Sequence, residues 1–316
     1  LSGTVVDLCP VGALTHRRWR FNTRIWYTEQ TNSICPGCST GCNVKVAVRD
    51  NQVVGVKARL NSAVNKEWLC DEGRYGFGRF QPDVRLCTPL VASAGASDLA
   101  ESDTPTQPSA PRFDEVTWPE ALARSQFLKS TGKDDGAVFL SPFLTLEEMW
   151  LAVEFAERVM GINRVSESIA LSYRQRPLTE VERVLVSPDY APNASAAKFF
   201  GLIDPASDQS NWRDSLSARY LKLVDRVRSG SVSRVLFVGD ASLWAIDLDE
   251  ALQSALEKAS AVSLLPRDFN AYPMVLGSGL SCGFHSFAKV VLPSRTVLET
   301  SGLLLNGTGR LQRVRQ

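Results

Sequence analysis

The sequence predicts an α/β protein in two parts: a small β-rich, cysteine-bearing module, then a larger α/β domain with a mostly parallel sheet. Three observations predict it. Five of the seven cysteines fall within the first 70 residues. Valines recur at every second position on both sides of Asp50-Asn51, the pattern of two half-buried strands joined by a tight turn. Beyond residue 116, short apolar runs alternate with helical periodicity, as in strands that return in parallel beneath covering helices.

The elements follow in order. Residues 1–34 read as a basic, aromatic connector carrying His16-Arg17-Arg18-Trp19-Arg20, Arg24 and Trp26. Residues 35–91 form the cysteine module, in which Val44, Val46 and Val48 face Val53, Val54 and Val56 across the turn. Residues 92–116, rich in Ser, Ala, Pro, Asp and Thr, read as a linker. The α/β domain then occupies 117–316. Thr117-Trp118-Pro119-Glu120 is a capping box with proline in the first turn, so a helix starts there. A second box, Thr145 to Glu148, opens a helix with Leu146, Met149, Val153 and Met160 on one face and Gly161 at its end. Helices are expected at 213–229 and 248–258, and strands at 137–140, 235–238, 261–265 and 290–292.

Composition bounds the function. The chain has 316 residues, 44% hydrophobic and 22% charged, with a net charge of +1. That balance argues against nucleic acid as the main partner. No run of about 18 apolar residues exists, so no membrane span is expected. Clustered cysteines at ligand-like spacing favour a reducing compartment over a disulfide framework. The chain opens Leu1-Ser2-Gly3, without methionine or a signal-peptide pattern, and reads as a processed or partial polypeptide.

The strongest motif is C-x2-C-x3-C-x27-C, formed by Cys35, Cys38, Cys42 and Cys70. Three clustered thiols and a fourth returned from a distance suit a cubane [4Fe–4S] cluster, whose four irons each take one thiolate. Structural zinc is the alternative, since four thiolates also bind zinc. The x2, x3 spacing departs from the paired knuckles of most zinc ribbons. Pro36, Gly37 and Gly41 would let the backbone wrap closely round a cluster. Cys9-Pro10 is a dipeptide that often carries the last ligand of a separate cluster. Arg59 and Arg74 are possible positive neighbours of the thiols. Cys87 and Cys282 read as buried structural thiols, His285 as structural and His16 as an interface residue. Gly277-Ser278-Gly279 with Gly283 misses the dinucleotide fingerprint by its spacing. Two isolated histidines support no catalytic triad, so no catalytic residue is assigned.

The stretch Ser33-Ile34-Cys35-Pro36-Gly37-Cys38-Ser39-Thr40-Gly41-Cys42, followed by Trp68-Leu69-Cys70-Asp71-Glu72-Gly73-Arg74-Tyr75-Gly76, resembles the iron–sulfur domain of the molybdopterin oxidoreductase superfamily. Upstream, Val6-Asp7-Leu8-Cys9-Pro10-Val11-Gly12-Ala13-Leu14-Thr15 looks like the end of a preceding cluster domain. Together they resemble the large iron–sulfur subunits of respiratory complex I, the NADH:quinone oxidoreductases. A patchier likeness at 290–312, with Asn306-Gly307-Thr308-Gly309-Arg310-Leu311-Gln312, resembles the segment closing the superfamily's pterin-type domain.

The resemblance implies that Cys35, Cys38, Cys42 and Cys70 hold an off-path [4Fe–4S] cluster. It implies that Cys9 is the last ligand of a second [4Fe–4S] cluster, whose other ligands are not in this chain. It also implies a reduced, pterin-domain-like scaffold at 117–316. Pterin-bearing members usually place lysine two positions after the fourth cysteine. Glu72 stands there, so no molybdopterin is expected. The implied role is electron transfer from NADH and flavin toward quinone in the peripheral arm, on the cytoplasmic face of the inner membrane. The implied partners are the flavin- and NADH-binding subunit and adjacent iron–sulfur subunits. A fragment of a molybdopterin-dependent oxidoreductase and a hydrogenase-associated diaphorase subunit are the alternatives.

Overall fold

The computed structural model describes residues 2–17, 19–80, 87–93, 113–129, 132, 135–163, 166–173, 175, 177–180, 182–203, 211–239, 250–266, 288–295 and 297–315. The chain begins with helix α1 (Ser2–Leu8) and a 3-10 turn, Ile25–Tyr27. Strands β1 (Glu29–Ile34), β2 (Asn43–Arg49) and β3 (Gln52–Ala58) form an antiparallel sheet in that order. The expected hairpin is β2–β3. Asp50 and Asn51 both take positive φ, 51° and 61°, the pair of left-handed residues that a two-residue hairpin turn needs. Val44, Val46 and Val56 are buried with Leu69 and two of the cysteines, so the small module has its own core.

Helix α2 (Asp71–Tyr75) follows the fourth cysteine, and strand β4 (Leu90–Ala92) comes next. Most of the expected linker, 94–112, lies outside the described residues. Its two ends are strands: β4 pairs antiparallel with β5 (Phe113–Glu115). Then come α3 (Trp118–Arg124), β6 (Gly136–Leu140), α4 (Leu146–Arg158), β7 (Ile169–Leu171), α5 (Trp212–Arg228), β8 (Arg234–Val238), α6 (Glu250–Lys258), β9 (Ser260–Pro266), β10 (Ala288–Ser294), β11 (Gly302–Leu305) and β12 (Leu311–Val314). Both capping boxes form where the sequence places them. The Thr145 hydroxyl accepts from the Glu148 N–H at 3.3 Å, and the Glu148 carboxylate accepts from the Thr145 N–H at 2.8 Å. Thr145→Ala is expected to lower stability by about 1 kcal/mol, read as a lower urea midpoint with an unchanged denaturant slope.

The large sheet has the order β5-β4-β10-β9-β8-β6-β7. The α/β expectation holds, and the parallel expectation holds for one run of the large sheet but not for the sheets taken together. Pairings from β10 to β7 are parallel, β5-β4-β10 is antiparallel, and the β1–β3 and β11–β12 sheets are antiparallel throughout. Across the described chain, antiparallel ladders therefore outnumber parallel ones. In the β1–β3 and β11–β12 sheets the reason is local: successive strands there are joined by short loops without a helical crossover and return antiparallel.

Side-chain alternation divides the core. Val138, Leu140, Leu236 and Val238 face Met149, Val153 and Ala156 of α4. Ala137, Phe139, Val235 and Phe237 face Tyr220, Leu223 and Val224 of α5 and Leu252 and Leu256 of α6. The Phe139 and Phe237 rings stack with centroids 5.2 Å apart, and Tyr220 meets Phe139 edge-on at 5.8 Å. Near-continuous burial of these strands follows from helices on both faces. Arg234 is buried at the sheet's end, where it satisfies the carbonyls of Leu128 and Lys129 at 3.0 and 2.8 Å and pairs with Asp135.

The β11–β12 hairpin ties the module to the α/β body. Leu303 and Leu305 donate their N–H groups to Glu147 and Asn193, at 3.0 and 2.8 Å. Ile34 of β1 packs on Leu304 and Val314. No described helix is long and apolar enough to cross a membrane.

Candidate metal centre

Cys35, Cys38, Cys42 and Cys70 line one small cavity, together with Gly37, Gly41, Glu72, Gly73 and Val186. The first three are buried and Cys70 is partly exposed. Local backbone bonds make the loop: the Cys35 N–H donates to the Cys42 carbonyl at 2.8 Å, and the Gly41 N–H to that of Cys38 at 3.3 Å. The β2–β3 hairpin then carries the chain out and back to Cys70, which caps α2. Among the described residues, no three His, Cys, Asp or Glu side chains are grouped to grip a single ion. The four thiols instead surround a space.

The backbone supplies donors to sulfur. The Gly37 N–H points at Cys35 Sγ at 3.4 Å, and the Gly73 N–H at Cys70 Sγ at 3.2 Å. Thr40 Oγ1 lies 3.4 Å from Cys38 Sγ. Gly73 is needed for space: a Cβ there would stand 3.0 Å from Cys35 Sγ and 2.9 Å from Leu69 Cδ1. Burial pushes the Cys42 thiol well above its ordinary range, and Cys35, Cys38 and Cys70 push it the same way. Burial also raises Cys70, against the Gly73 N–H, which lowers it. Four thiolates this close together repel one another unless positive charge sits among them, which iron or another cation provides. The donor set, the amide bonds to sulfur and the cramped glycine fit a cluster.

Cys9 sits apart, just past α1, in a different setting. The N–H groups of Leu14, Ala13, Val11 and Gly12 bond toward its sulfur, with Leu14 the strongest, and hold its pKa below the ordinary value despite some burial. The two cysteine segments are joined by an ion pair between Asp7 and Arg74, the latter only 2% exposed. His16 stands beside it, with Nε2 3.4 Å from Asp7 Oδ1 and Nδ1 2.7 Å from the Tyr75 hydroxyl. Burial, then Lys57, lowers the His16 pKa.

Several expectations are redrawn. Arg74 is committed to Asp7 rather than free to charge the thiols, and Arg59 donates to Asn43. Cys87 is exposed, as is Thr88 beside it, so it is not the buried thiol expected. Cys282, His285 and the Gly277–Gly283 stretch lie outside the described residues. Glu72 lines the cavity and accepts a hydrogen bond from Tyr190.

Other contacts around the loop join residues far apart in the chain. The Ser39 N–H donates to the Asp189 carbonyl at 3.0 Å, and the Ser39 hydroxyl to its carboxylate at 3.1 Å. Asn306 reaches the Thr40 carbonyl at 3.3 Å, and Gln312 the Gly41 carbonyl at 2.9 Å. Of the loop's distant partners, Asn306 and Gln312 belong to a stretch that the family resemblance touches, whereas Asp189 has no signal in the sequence.

Residues 28–81 match the family described as the molybdopterin oxidoreductase Fe4S4 domain. The chain is 36% identical over 157 residues to NADH-quinone oxidoreductase subunit 3 of Thermus thermophilus, covering 49% of this chain and 18% of that one. It is 38% identical over 95 residues to the NADH-ubiquinone oxidoreductase 75 kDa subunit of Reclinomonas americana, covering 30% and 14%. It is 30% identical over 165 residues to the mitochondrial NADH dehydrogenase [ubiquinone] iron-sulfur protein 1 of Solanum tuberosum, covering 52% and 20%. The matched segments thus span a fifth or less of the length of these relatives. Residues 28–81 belong to the molybdopterin oxidoreductase Fe4S4 domain family, and the chain is related in sequence to the iron–sulfur subunits of NADH-quinone oxidoreductases.

Proposed function

We propose that the chain is an electron-transfer iron–sulfur polypeptide of a complex I-type NADH:quinone oxidoreductase, working in the peripheral arm between a flavin-bearing, NADH-oxidising subunit and quinone. The observation that carries this is the cavity ringed by Cys35, Cys38, Cys42 and Cys70 within a recognised Fe4S4 domain. These four cysteines are the proposed ligands of one [4Fe–4S] cluster, and Cys9 is the proposed last ligand of a second, completed from outside residues 1–316. When bound, such a cluster supplies a one-electron redox couple.

The chain's own residues do the rest. The Gly37 and Gly73 N–H groups stabilise negative sulfur, and the buried loop keeps water from three of the four ligands. Glu72, where a pterin-bearing relative would hold lysine, is engaged by Tyr190; the proposed complement has no molybdopterin. Residues 1–34 serve as connector, 35–91 as the cluster domain, 92–116 as a crossing and 117–316 as a scaffold without bond-making chemistry. Val11, Phe21 and Trp26 on the connector are strongly exposed and suit burial against the neighbouring iron–sulfur and flavin subunits. The proposed place is the periphery of a membrane complex, facing the cytoplasm.

Cys38→Ser tests the assignment in the complex purified without oxygen. The expected result is loss of one cluster's EPR signal and about four irons per complex, while much of the NADH–quinone turnover persists. Unchanged iron and EPR would remove Cys38 from the ligand set. An assembled complex that loses its turnover would place this cluster on the main electron path.

A further inference from the structure

A second cavity, of about 300 Å3, opens where the β1–β3 sheet meets the β11–β12 hairpin. Four arginines line it: Arg59, Arg310, Arg313 and Arg315. No acidic side chain is among its lining residues. Among the described residues none of the four has an ion-pair partner. Like charges converging on one concavity repel each other unless an anion sits among them.

Neutral groups of the lining are also unsatisfied. Asn43 and Gln312 are 4% and 7% exposed. Asn43 Nδ2, Gln312 Oε1 and Arg59 Nε are buried without a hydrogen-bond partner in the protein. Their other atoms are used: the side-chain carbonyl oxygen of Asn43 accepts from Arg59, and Gln312 Nε2 donates to the Gly41 carbonyl. Those bonds hold the two side chains in place. The remaining atoms offer donors and one acceptor, and buried polar atoms left this way ask for an explanation.

We propose that this cleft binds a small oxyanion, a phosphate or carboxylate compound, held by the guanidinium groups and oriented by the Asn43 amide N–H groups. Guanidinium forks match both anions bidentately, and the volume is that of a small-ligand site rather than a protein groove. The cleft adjoins the cysteine loop through Gly41 and Asn43 but shares no lining cysteine with it. Its ligand is therefore distinct from the proposed cluster.

The test is equilibrium dialysis of the full chain, purified without oxygen, against labelled pyrophosphate and, separately, labelled citrate at physiological salt. At least one probe is expected to bind at a single saturable site. Binding of pyrophosphate identifies a phosphate ligand, and binding of citrate alone a carboxylate. Arg59→Gln is expected to weaken binding about tenfold, the loss of one charge-assisted contact. Arg313→Gln, on an exposed side chain that leaves the core untouched, should weaken it in the same direction. Arg17→Gln, an exposed arginine of the connector, should leave it unchanged. Saturable binding of neither probe overturns the proposal. So does binding that Arg59→Gln and Arg313→Gln weaken no more than Arg17→Gln does.

Discussion

Replacing Asp189 with alanine is expected to destabilise the chain by about 3 kcal/mol. Its carboxylate has no exposed surface. It accepts from Arg213 Nε at 2.9 Å and Nη2 at 2.7 Å, from the Ser39 hydroxyl at 3.1 Å, and from the Tyr173 hydroxyl. Removing it strands a guanidinium beside the core and a tyrosine that is 2% exposed. Losing one partner of a buried pair leaves the other's desolvation uncompensated. Arg213 keeps 31% of its side chain in solvent, which sets the effect at the low end of the usual range for such pairs. Asp189 raises the Arg213 pKa, and burial followed by Asp189 raises that of Tyr173, as expected of one coupled network. Tyr173→Phe, which removes only the hydroxyl and leaves the Asp189–Arg213 pair in place, should cost only about 1 kcal/mol. Urea denaturation of both variants separates these outcomes. An Asp189→Ala loss no larger than that of Tyr173→Phe would mean that the network adds nothing beyond pairwise bonds.

The same variant should reach the cysteine loop, because Ser39 lies between Cys38 and Gly41. With that side-chain anchor gone, Ser39 keeps its backbone bonds to residues 189 and 307 and its hydroxyl contact with Ser187 at 2.8 Å, so the loop is loosened rather than released. Iron retained against a chelator should fall in parallel with stability.

Gly41→Ala is expected to cost about 2–3 kcal/mol, from one residue forced into the left-handed region and one lost hydrogen bond. Gly41 has φ +65°, and an added Cβ would collide with Gln312 Oε1. The Gln312 side chain would have to withdraw, breaking its 2.9 Å bond to the Gly41 carbonyl. Cys42 follows directly, so the displacement is delivered to a proposed ligand. Gln312→Ala is the informative companion, since it removes the clash and the bond together. Gly41→Ala on that background should recover part of the loss, and the remainder reports backbone strain together with the close approach to Asn306 Cβ, 3.0 Å from the added carbon. A Gly41→Ala variant with unaltered melting temperature and iron retention would show that the hairpin does not clamp the loop.

What the chain determines by itself is whatever rests on short-range chemistry. The four-cysteine spacing, the Asp50-Asn51 turn, both capping boxes and the strand and helix alternation are local patterns. The turn and the capping boxes appear in the structure because their energy comes from residues within a few positions of one another, and Cys70 returns to the other three cysteines through the hairpin that the turn closes. The contacts that hold the site are not local. Asp7 meets Arg74, Ser39 meets Asp189 across 150 positions, and Gly41 meets Gln312 across 271. Nothing in Ser187-Pro188-Asp189-Tyr190 announces a role, because its partners arrive only when the sheet and hairpin bring them together. The antiparallel edge β5-β4 and the arginine-lined cleft have the same origin. A single charge or strand has no fixed meaning in sequence until tertiary packing decides which groups share its low-dielectric surroundings.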